Sequence, residues 1–141
     1  MVSADLNELK TPHRHRRGRS RRAGTLRIPA VRASGNASTA VLCVELDPGK
    51  SGPRHIDMPE EILLIDHGEV EVGDERAVFG AGGLVLVPSM VPHAFRNVGR
   101  TRARIVGFFS SNTVVAIADD IVQPIGSRVI GSPAAEMAGA V

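Results

Sequence analysis

The feature that most constrains the fold is a regular succession of short apolar segments and turns. The segment from Ala37 to Leu46 is rich in small and β-branched side chains and ends at Asp47-Pro48-Gly49. Further along, Glu69 to Val72 alternates strictly between charged and apolar residues and ends at Gly73-Asp74. Segments of this length without a 3.6-residue period are typical of strands rather than helices. The pattern therefore predicts an all-β sandwich or barrel.

The size and composition of the chain indicate a single globular domain. At 141 residues, 43% of them hydrophobic, the chain can form one hydrophobic core. No apolar run approaches the roughly 20 residues of a membrane span, and the N-terminus lacks the apolar core of a signal peptide. Cys43 is the single cysteine, so an internal disulfide is impossible. These features predict a cytoplasmic location and no membrane partner.

Basic side chains are concentrated near the N-terminus. Residues 10–22 carry seven of the seventeen lysines and arginines, and from Ala23 onward ten basic and thirteen acidic residues give a formal charge of −3. We therefore expect a basic, disordered arm over residues 1–24, a barrel over 25–120 and a C-terminal extension over 121–141 that packs partly on the barrel. Such an arm can attract phosphates, but no aromatic residue is interleaved to stack on bases, and we do not expect nucleic acid as a partner.

Two stretches supply ligands suited to a divalent metal. His55 and Asp57 are two residues apart and share a face if the segment is a strand, and Glu61 follows at a further even offset. His93 begins a later segment. Folded together across a barrel, His55, Glu61 and His93 can converge, and this set suits Fe(II), with Mn, Ni, Co or Zn also possible. Such a set leaves coordination positions open for water, oxygen or substrate.

The spacing of these residues resembles the two signatures of the cupin superfamily. The first signature, Gly-x5-His-x-His-x3-Glu-x6-Gly, matches with one departure, since an aspartate replaces its second histidine; the residues are Gly49, His55, Asp57, Glu61 and Gly68. The second, Gly-x5-Pro-x-Gly-x2-His-x3-Asn, matches with a methionine in place of its internal glycine; the residues are Gly82, Pro88, Met90, His93 and Asn97. The resemblance implies a small single-domain cupin, a double-stranded β-helix or jelly-roll barrel, with His55, Glu61 and His93 as metal ligands.

Asp57 has three interpretations. It can be a fourth ligand, which makes the site harder and more anionic. It can instead stop one water short of the metal, or act as a general base beside the open position. The third possibility is that the site has decayed and holds no metal.

The expected pocket is apolar and poor in aromatic residues. Trp and Tyr are absent and the chain has four phenylalanines, so a tyrosine general base is excluded. The side chains expected to line the pocket are Met58, Leu63, Ile65, Met90 and Phe95. This lining favours a small or aliphatic ligand, or an aromatic ligand held by methionine. Arg54, Arg96 and Arg104 are within reach of a carboxylate substrate in principle, although surface salt bridges are their expected use.

The function expected first is a non-haem metal-dependent oxygenase acting on a small organic molecule, with Asp57 ligating the metal or moving a proton. The fold alone does not decide this, because cupins also include non-catalytic ligand-binding or accessory proteins. A redox-silent lyase, isomerase or cyclase is a further alternative. A homodimer is also expected, because Ile62, Leu64 and the segment from Ala40 to Val44 put apolar side chains on the outer face.

Overall fold

The structure, a computed structural model, describes residues 24–27, 38–122 and 126–130. Within these ranges the chain forms eleven β-strands and no helix. The strands are β1 (Gly24–Arg27), β2 (Ala40–Leu46), β3 (His55–Asp57), β4 (Glu61–Ile65), β5 (Gly68–Val72), β6 (Glu75–Phe79), β7 (Gly83–Val87), β8 (His93–Arg96), β9 (Ala103–Phe109), β10 (Ala116–Val122) and β11 (Ser127–Ile130). In the described part of the chain no helix has the length and apolar character to cross a membrane.

The strands form two sheets in which every neighbouring pair is antiparallel. One sheet has the order β1-β2-β9-β4-β7 and the other has the order β11-β10-β3-β8-β5-β6. Strands that follow one another in sequence often lie in different sheets, as β3 and β4 do. This is a jelly-roll barrel, and the predicted all-β fold class is confirmed.

Alternating side chains on the strands build the core between the sheets. In β4 the burial follows a strict period of two, so that Glu61, Leu63 and Ile65 are buried while Ile62 and Leu64 are exposed. The buried apolar cluster contains Leu46, Leu63, Ile65, Val70, Val87, Phe95, Ala103 and Ile105. Burial of these side chains removes apolar surface from water and is the main stabilising contribution in such a fold.

Asn97 connects the end of β2 to the loop after β8 from within the core. Its Nδ2 donates to the carbonyl oxygens of Leu46 and Thr101, each at 2.8 Å, and its Oδ1 accepts from Gly99 N at 2.9 Å. The side chain is fully buried, and these bonds satisfy both ends of the amide. Asn97 therefore has a structural role in the loop after β8.

The ends of the chain are described in part. Residues 1–23 of the predicted arm lie outside the described residues, and β1 begins at Gly24. In the predicted C-terminal extension, β10 continues to Val122 and β11 pairs with β10 at one edge of the six-stranded sheet. Residues 123–125 and 131–141 lie outside the described residues.

Candidate metal centre

Strands β3 and β8 bring two distant imidazoles together. His55 begins β3 and His93 begins β8, and the two residues are direct partners in the antiparallel register. Directly opposite residues of such a pair lie on the same face of the sheet. The ring centroids are 4.3 Å apart, with 54° between the ring planes. The predicted convergence of His55 and His93 is thus a local consequence of strand pairing.

Backbone carbonyls orient both rings. Nδ1 of His55 lies 2.8 Å from the carbonyl oxygen of Pro53, and Nδ1 of His93 lies 3.0 Å from that of Val91. Because a carbonyl oxygen can only accept, each neutral ring carries its hydrogen on Nδ1. Each Nε2 then presents its lone pair toward the cluster, which is the arrangement a metal-ligating histidine needs.

The carboxylate of Asp57 lies between the two Nε2 atoms. Asp57 ends β3, two residues after His55, and its Oδ2 is 3.5 Å from Nε2 of His55 and 3.2 Å from Nε2 of His93. One ligand atom from each of these three residues lies within 4.8 Å of the other two, so the group can hold a metal ion. His55 is a quarter exposed, whereas Asp57 and His93 are buried.

Glu61 reaches the cluster from the opposite sheet. It begins β4, and its Oε2 lies 3.3 Å from Nε2 of His93. The carboxylate lies over Gly107 of β9, where a Cβ atom would collide with Glu61 Oε1. A side chain at position 107 would therefore displace this carboxylate. Gly107 is not among the site residues predicted from sequence, although an isolated glycine inside an apolar strand often marks such a close approach.

Two buried atoms of the cluster have no hydrogen-bond partner. Asp57 Oδ2 and His93 Nε2 are inaccessible to solvent, and although they are 3.2 Å apart they make no hydrogen bond of acceptable geometry. Buried polar atoms are nearly always paired, because the loss of water is otherwise uncompensated. A divalent cation would satisfy both atoms, since imidazole nitrogen and carboxylate oxygen are ordinary ligands for it. The donor set therefore fits a metal ion.

The charges of the cluster are strongly coupled. Burial opposes protonation of His93, but contacts with Asp57, Glu61 and the Val91 carbonyl outweigh it and raise the pKa of His93 to about 9. Burial alone would raise the pKa of Asp57, yet the imidazoles of His55 and His93 hold that pKa below its usual value. Burial, assisted by the charge of Asp57, raises the pKa of Glu61 despite the opposing contact with His93. Without a metal, a proton on His93 supplies the positive charge that offsets the negative charges of Asp57 and Glu61.

The Cupin domain family model matches residues 42–109, a range that includes all the residues of this cluster. The chain is a member of the cupin superfamily. The polyketide cyclase RemF from Streptomyces resistomycificus is similar to this cupin with a TM-score of 0.68 at 16% identity, and the match covers 87% of this chain and 88% of that one. No curated protein sequence matches significantly.

Other structural neighbours of this cupin are longer enzymes. An oxalate decarboxylase from Lactobacillus farciminis aligns with a TM-score of 0.67 at 22% identity, over 81% of this chain and 34% of the decarboxylase. A salicylate 1,2-dioxygenase from Pseudaminobacter salicylatoxidans aligns with a TM-score of 0.48 at 17% identity, over 52% of this chain and 21% of the dioxygenase. The chain thus spans about a third of the decarboxylase and a fifth of the dioxygenase. The likeness to the decarboxylase shows the fold alone.

The second departure from the cupin signatures lies beside the cluster. Met90 replaces the internal glycine, yet it adopts a left-handed conformation with φ of 63°. This conformation is the one glycine adopts without steric cost, and it is strained for methionine. The backbone N–H of Met90 donates to the carbonyl oxygen of Asp57 at 2.9 Å. The turn is thus preserved and connects the loop before β8 to the residue that replaces the signature histidine.

The five side chains expected to line the pocket fall into two groups. Leu63, Ile65 and Phe95 belong to the buried core cluster. Met58 and Met90 are 56% and 51% exposed and flank the cluster in sequence. A cavity of about 510 Å³ lies elsewhere, on the outer side of the five-stranded sheet next to Leu64, Arg104 and Val106.

Proposed function

We propose that this cupin is a metal-dependent enzyme, a non-haem oxygenase that acts on a small organic molecule. The observation that carries the proposal is the pair of buried, unpartnered atoms, Asp57 Oδ2 and His93 Nε2, beside the oriented ring of His55. A folded protein rarely keeps such atoms without a ligand to satisfy them. The ion would be held by His55, Asp57, Glu61 and His93.

The donor set supports Fe(II) as the metal, with Mn, Ni, Co or Zn as further possibilities. Two neutral imidazoles and two carboxylates combine borderline and hard ligands, and octahedral ions would keep positions open for water, oxygen and substrate. When bound, a redox-active ion in such a set supplies electron transfer to oxygen. Asp57 either completes the ligand set or accepts a proton from the substrate at its Oδ2 atom.

The surroundings of the cluster support controlled access to it. Asp57, Glu61 and His93 are buried, and only the His55 ring is partly accessible, with 25% of its side chain exposed. A small molecule would approach past His55, while the packed core on the other sides excludes water. The carbonyls of Pro53 and Val91 fix both rings and so hold the ligand geometry constant during turnover.

A redox-silent lyase, isomerase or cyclase is the second candidate. The specific observation in its favour is the Asp57 carboxylate, which replaces a softer imidazole and suits a metal that acts only as a Lewis acid. Both candidates use the same four residues. They differ in whether the reaction consumes oxygen.

The test begins with the elemental content of protein purified without added metal. We expect stoichiometric iron, loss of that iron in His93→Ala, and oxygen consumption with at least one member of a panel of small organic molecules. Stoichiometric zinc or manganese with turnover that needs no oxygen would support the second candidate. Protein that binds no divalent metal near pH 8 would refute both candidates and leave a non-catalytic ligand-binding or accessory protein.

We further propose a cytoplasmic homodimer with a small-molecule ligand. Apolar side chains cover the outer face of the five-stranded sheet, where Leu84 is 67% and Leu86 55% exposed, and Ile62, Leu64 and Phe108 are each exposed by 40% or more. Apolar surface of this extent is typical of protein interfaces. The apolar patch formed by these five side chains can meet its own copy across a two-fold axis without electrostatic repulsion. The single cysteine suits a reducing compartment.

A further inference from the structure

The carboxylates at the cluster determine its overall charge. Asp57 and Glu61 each place an oxygen within 3.3 Å of Nε2 of His93, from opposite sheets of the barrel. With two neutral imidazoles and a divalent ion, two carboxylates bring the formal charge of the whole centre to zero. A set with histidine at position 57 would carry one positive charge instead.

We propose that the centre takes an uncharged ligand, one that presents a carbonyl, amide or hydroxyl oxygen, in preference to a carboxylate or another anion. The inference rests on the proposed function, since it assumes that an ion is bound by these residues. An anion that enters a neutral centre gains no net Coulomb attraction and still loses its hydration. An uncharged oxygen ligand loses much less on leaving water.

The interior supplies no positive side chain that would compensate. Among residues 38–122 and 126–130, the buried polar and charged residues are Glu45, Asp57, Glu61, His93 and Asn97. No lysine or arginine of the described ranges is buried with them. A carboxylate substrate would therefore be placed beside two carboxylates without a salt-bridge partner, which is an unfavourable burial of charge.

Of the three arginines considered for a carboxylate substrate, Arg54 and Arg104 make ion pairs away from the cluster, and Arg96 is exposed. Arg54 precedes His55, but its guanidinium pairs with Glu71 at 3.0 Å and with Asp119 at 3.3 Å. Arg104 pairs with Glu45 at 2.8 Å on the outer side of the other sheet. These side chains make the surface salt bridges expected of them, and they are already neutralised.

Asp57 is therefore the residue that we expect to determine ligand charge. It is the position at which this chain departs from the first cupin signature, and its Oδ2 contacts both imidazoles. Asp57→His would add one positive charge and restore the signature. Asp57→Asn would add the same charge with almost no change in side-chain size, and it serves as a second variant if the histidine does not fit.

The experiment compares two ligands of equal shape, pyruvate and pyruvamide, on Mn(II)-loaded protein. Their binding is followed by displacement of Mn-bound water, measured from the relaxation of water protons, so no turnover is needed. We expect the wild type to bind pyruvamide at least tenfold more tightly than pyruvate. In Asp57→His or Asp57→Asn the ratio of the two dissociation constants should shift toward pyruvate by at least tenfold.

Glu60→Gln is the matched control, because Glu60 is exposed next to Glu61 and its change alters the formal charge equally. The ratio should stay within twofold of the wild type in this variant. The inference is overturned if the wild type binds pyruvate at least as tightly as pyruvamide, if neither ligand displaces water, or if both Asp57 variants keep the wild-type ratio. Failure of the wild type to bind any divalent metal, Fe(II) included, by contrast refutes the proposed function itself.

Discussion

Removal of the metal should make the stability of this protein depend on pH through His93. In the metal-free protein the pKa of His93 is raised from 6.5 to about 9, because its contacts with Asp57, Glu61 and the Val91 carbonyl outweigh the effect of burial. A group whose pKa is higher in the folded state binds its proton more tightly there. Its stabilisation is complete below pH 6.5 and is lost as the pH rises through about 9.

The size of the effect follows from the two pKa values of His93. At roughly 1.4 kcal/mol per pKa unit, a rise from 6.5 to about 9 corresponds to a loss of about 3 kcal/mol in the free energy of unfolding across this window. That is a large fraction of the roughly 5–15 kcal/mol available to a domain of this kind. The metal-free protein should therefore be clearly less stable at pH 9.5 than at pH 6.5.

Urea unfolding of the chelator-treated protein at a series of pH values measures this loss. Far-UV circular dichroism is the suitable probe, because the chain has no Trp and no Tyr for intrinsic fluorescence. His93→Asn removes the titrating group and should leave stability nearly constant between pH 6.5 and 9.5. Equal stability of the metal-free wild type at both ends of this range, or a rise with pH, would show that the neighbouring carboxylates do not stabilise a proton on His93.

Three further predictions concern single positions. Gly107→Ala should lower metal affinity at least tenfold, because the new Cβ displaces the flexible end of Glu61, and should change the unfolding free energy by less than about 1 kcal/mol. Isothermal titration with Mn(II) measures the affinity and urea unfolding measures the stability. Unchanged affinity would contradict the close approach of Glu61 to position 107. Met90→Gly should be more stable than Met90→Ala by about 1 kcal/mol, since only glycine adopts φ of 63° without strain, and equal urea midpoints would argue against that turn. Leu86→Glu should give monomers in analytical ultracentrifugation, whereas Val78→Glu, at a position 67% exposed on the other sheet, should not; a persistent dimer in the first variant would exclude this face.

The strands and the candidate metal ligands could be identified from the sequence because each depends on local spacing. The strict alternation of Glu69 to Val72 predicts a strand with one buried face, and in β5 Val70 is buried between the half-buried Glu69 and Glu71. His55 and His93 carry an equally local signal, since each sits at a fixed distance from turn residues. Their convergence could therefore be predicted without knowledge of the register that pairs His55 with His93.

Features that depend on pairing between distant strands were not predictable. The apolar pattern fades at Asp119-Asp120, yet β10 continues to Val122, because β11 supplies backbone hydrogen bonds that hydropathy does not report. The space over Gly107 exists only because β9 lies beside β4 in the same sheet, and no pattern within β9 indicates which side chain fills it. The residues expected to line the pocket are a mixture of core residues and exposed residues in the structure, because the burial of each side chain also depends on which distant strands pair.

The replacement of a signature histidine by Asp57 links the stability of the metal-free barrel to the choice of ligand in the loaded one. Two buried carboxylates near one imidazole would be unfavourable if all three groups kept their ordinary charges, and a proton on His93 removes that cost. A divalent ion takes the place of that proton, since the Nε2 lone pair cannot hold both. Asp57 is thus one of the two carboxylates that hold a proton on His93 without metal and neutralise the ion when metal binds. A histidine at position 57 would provide neither effect, which is why the pH dependence of the metal-free protein and the ligand preference of the loaded protein should change together in Asp57 variants.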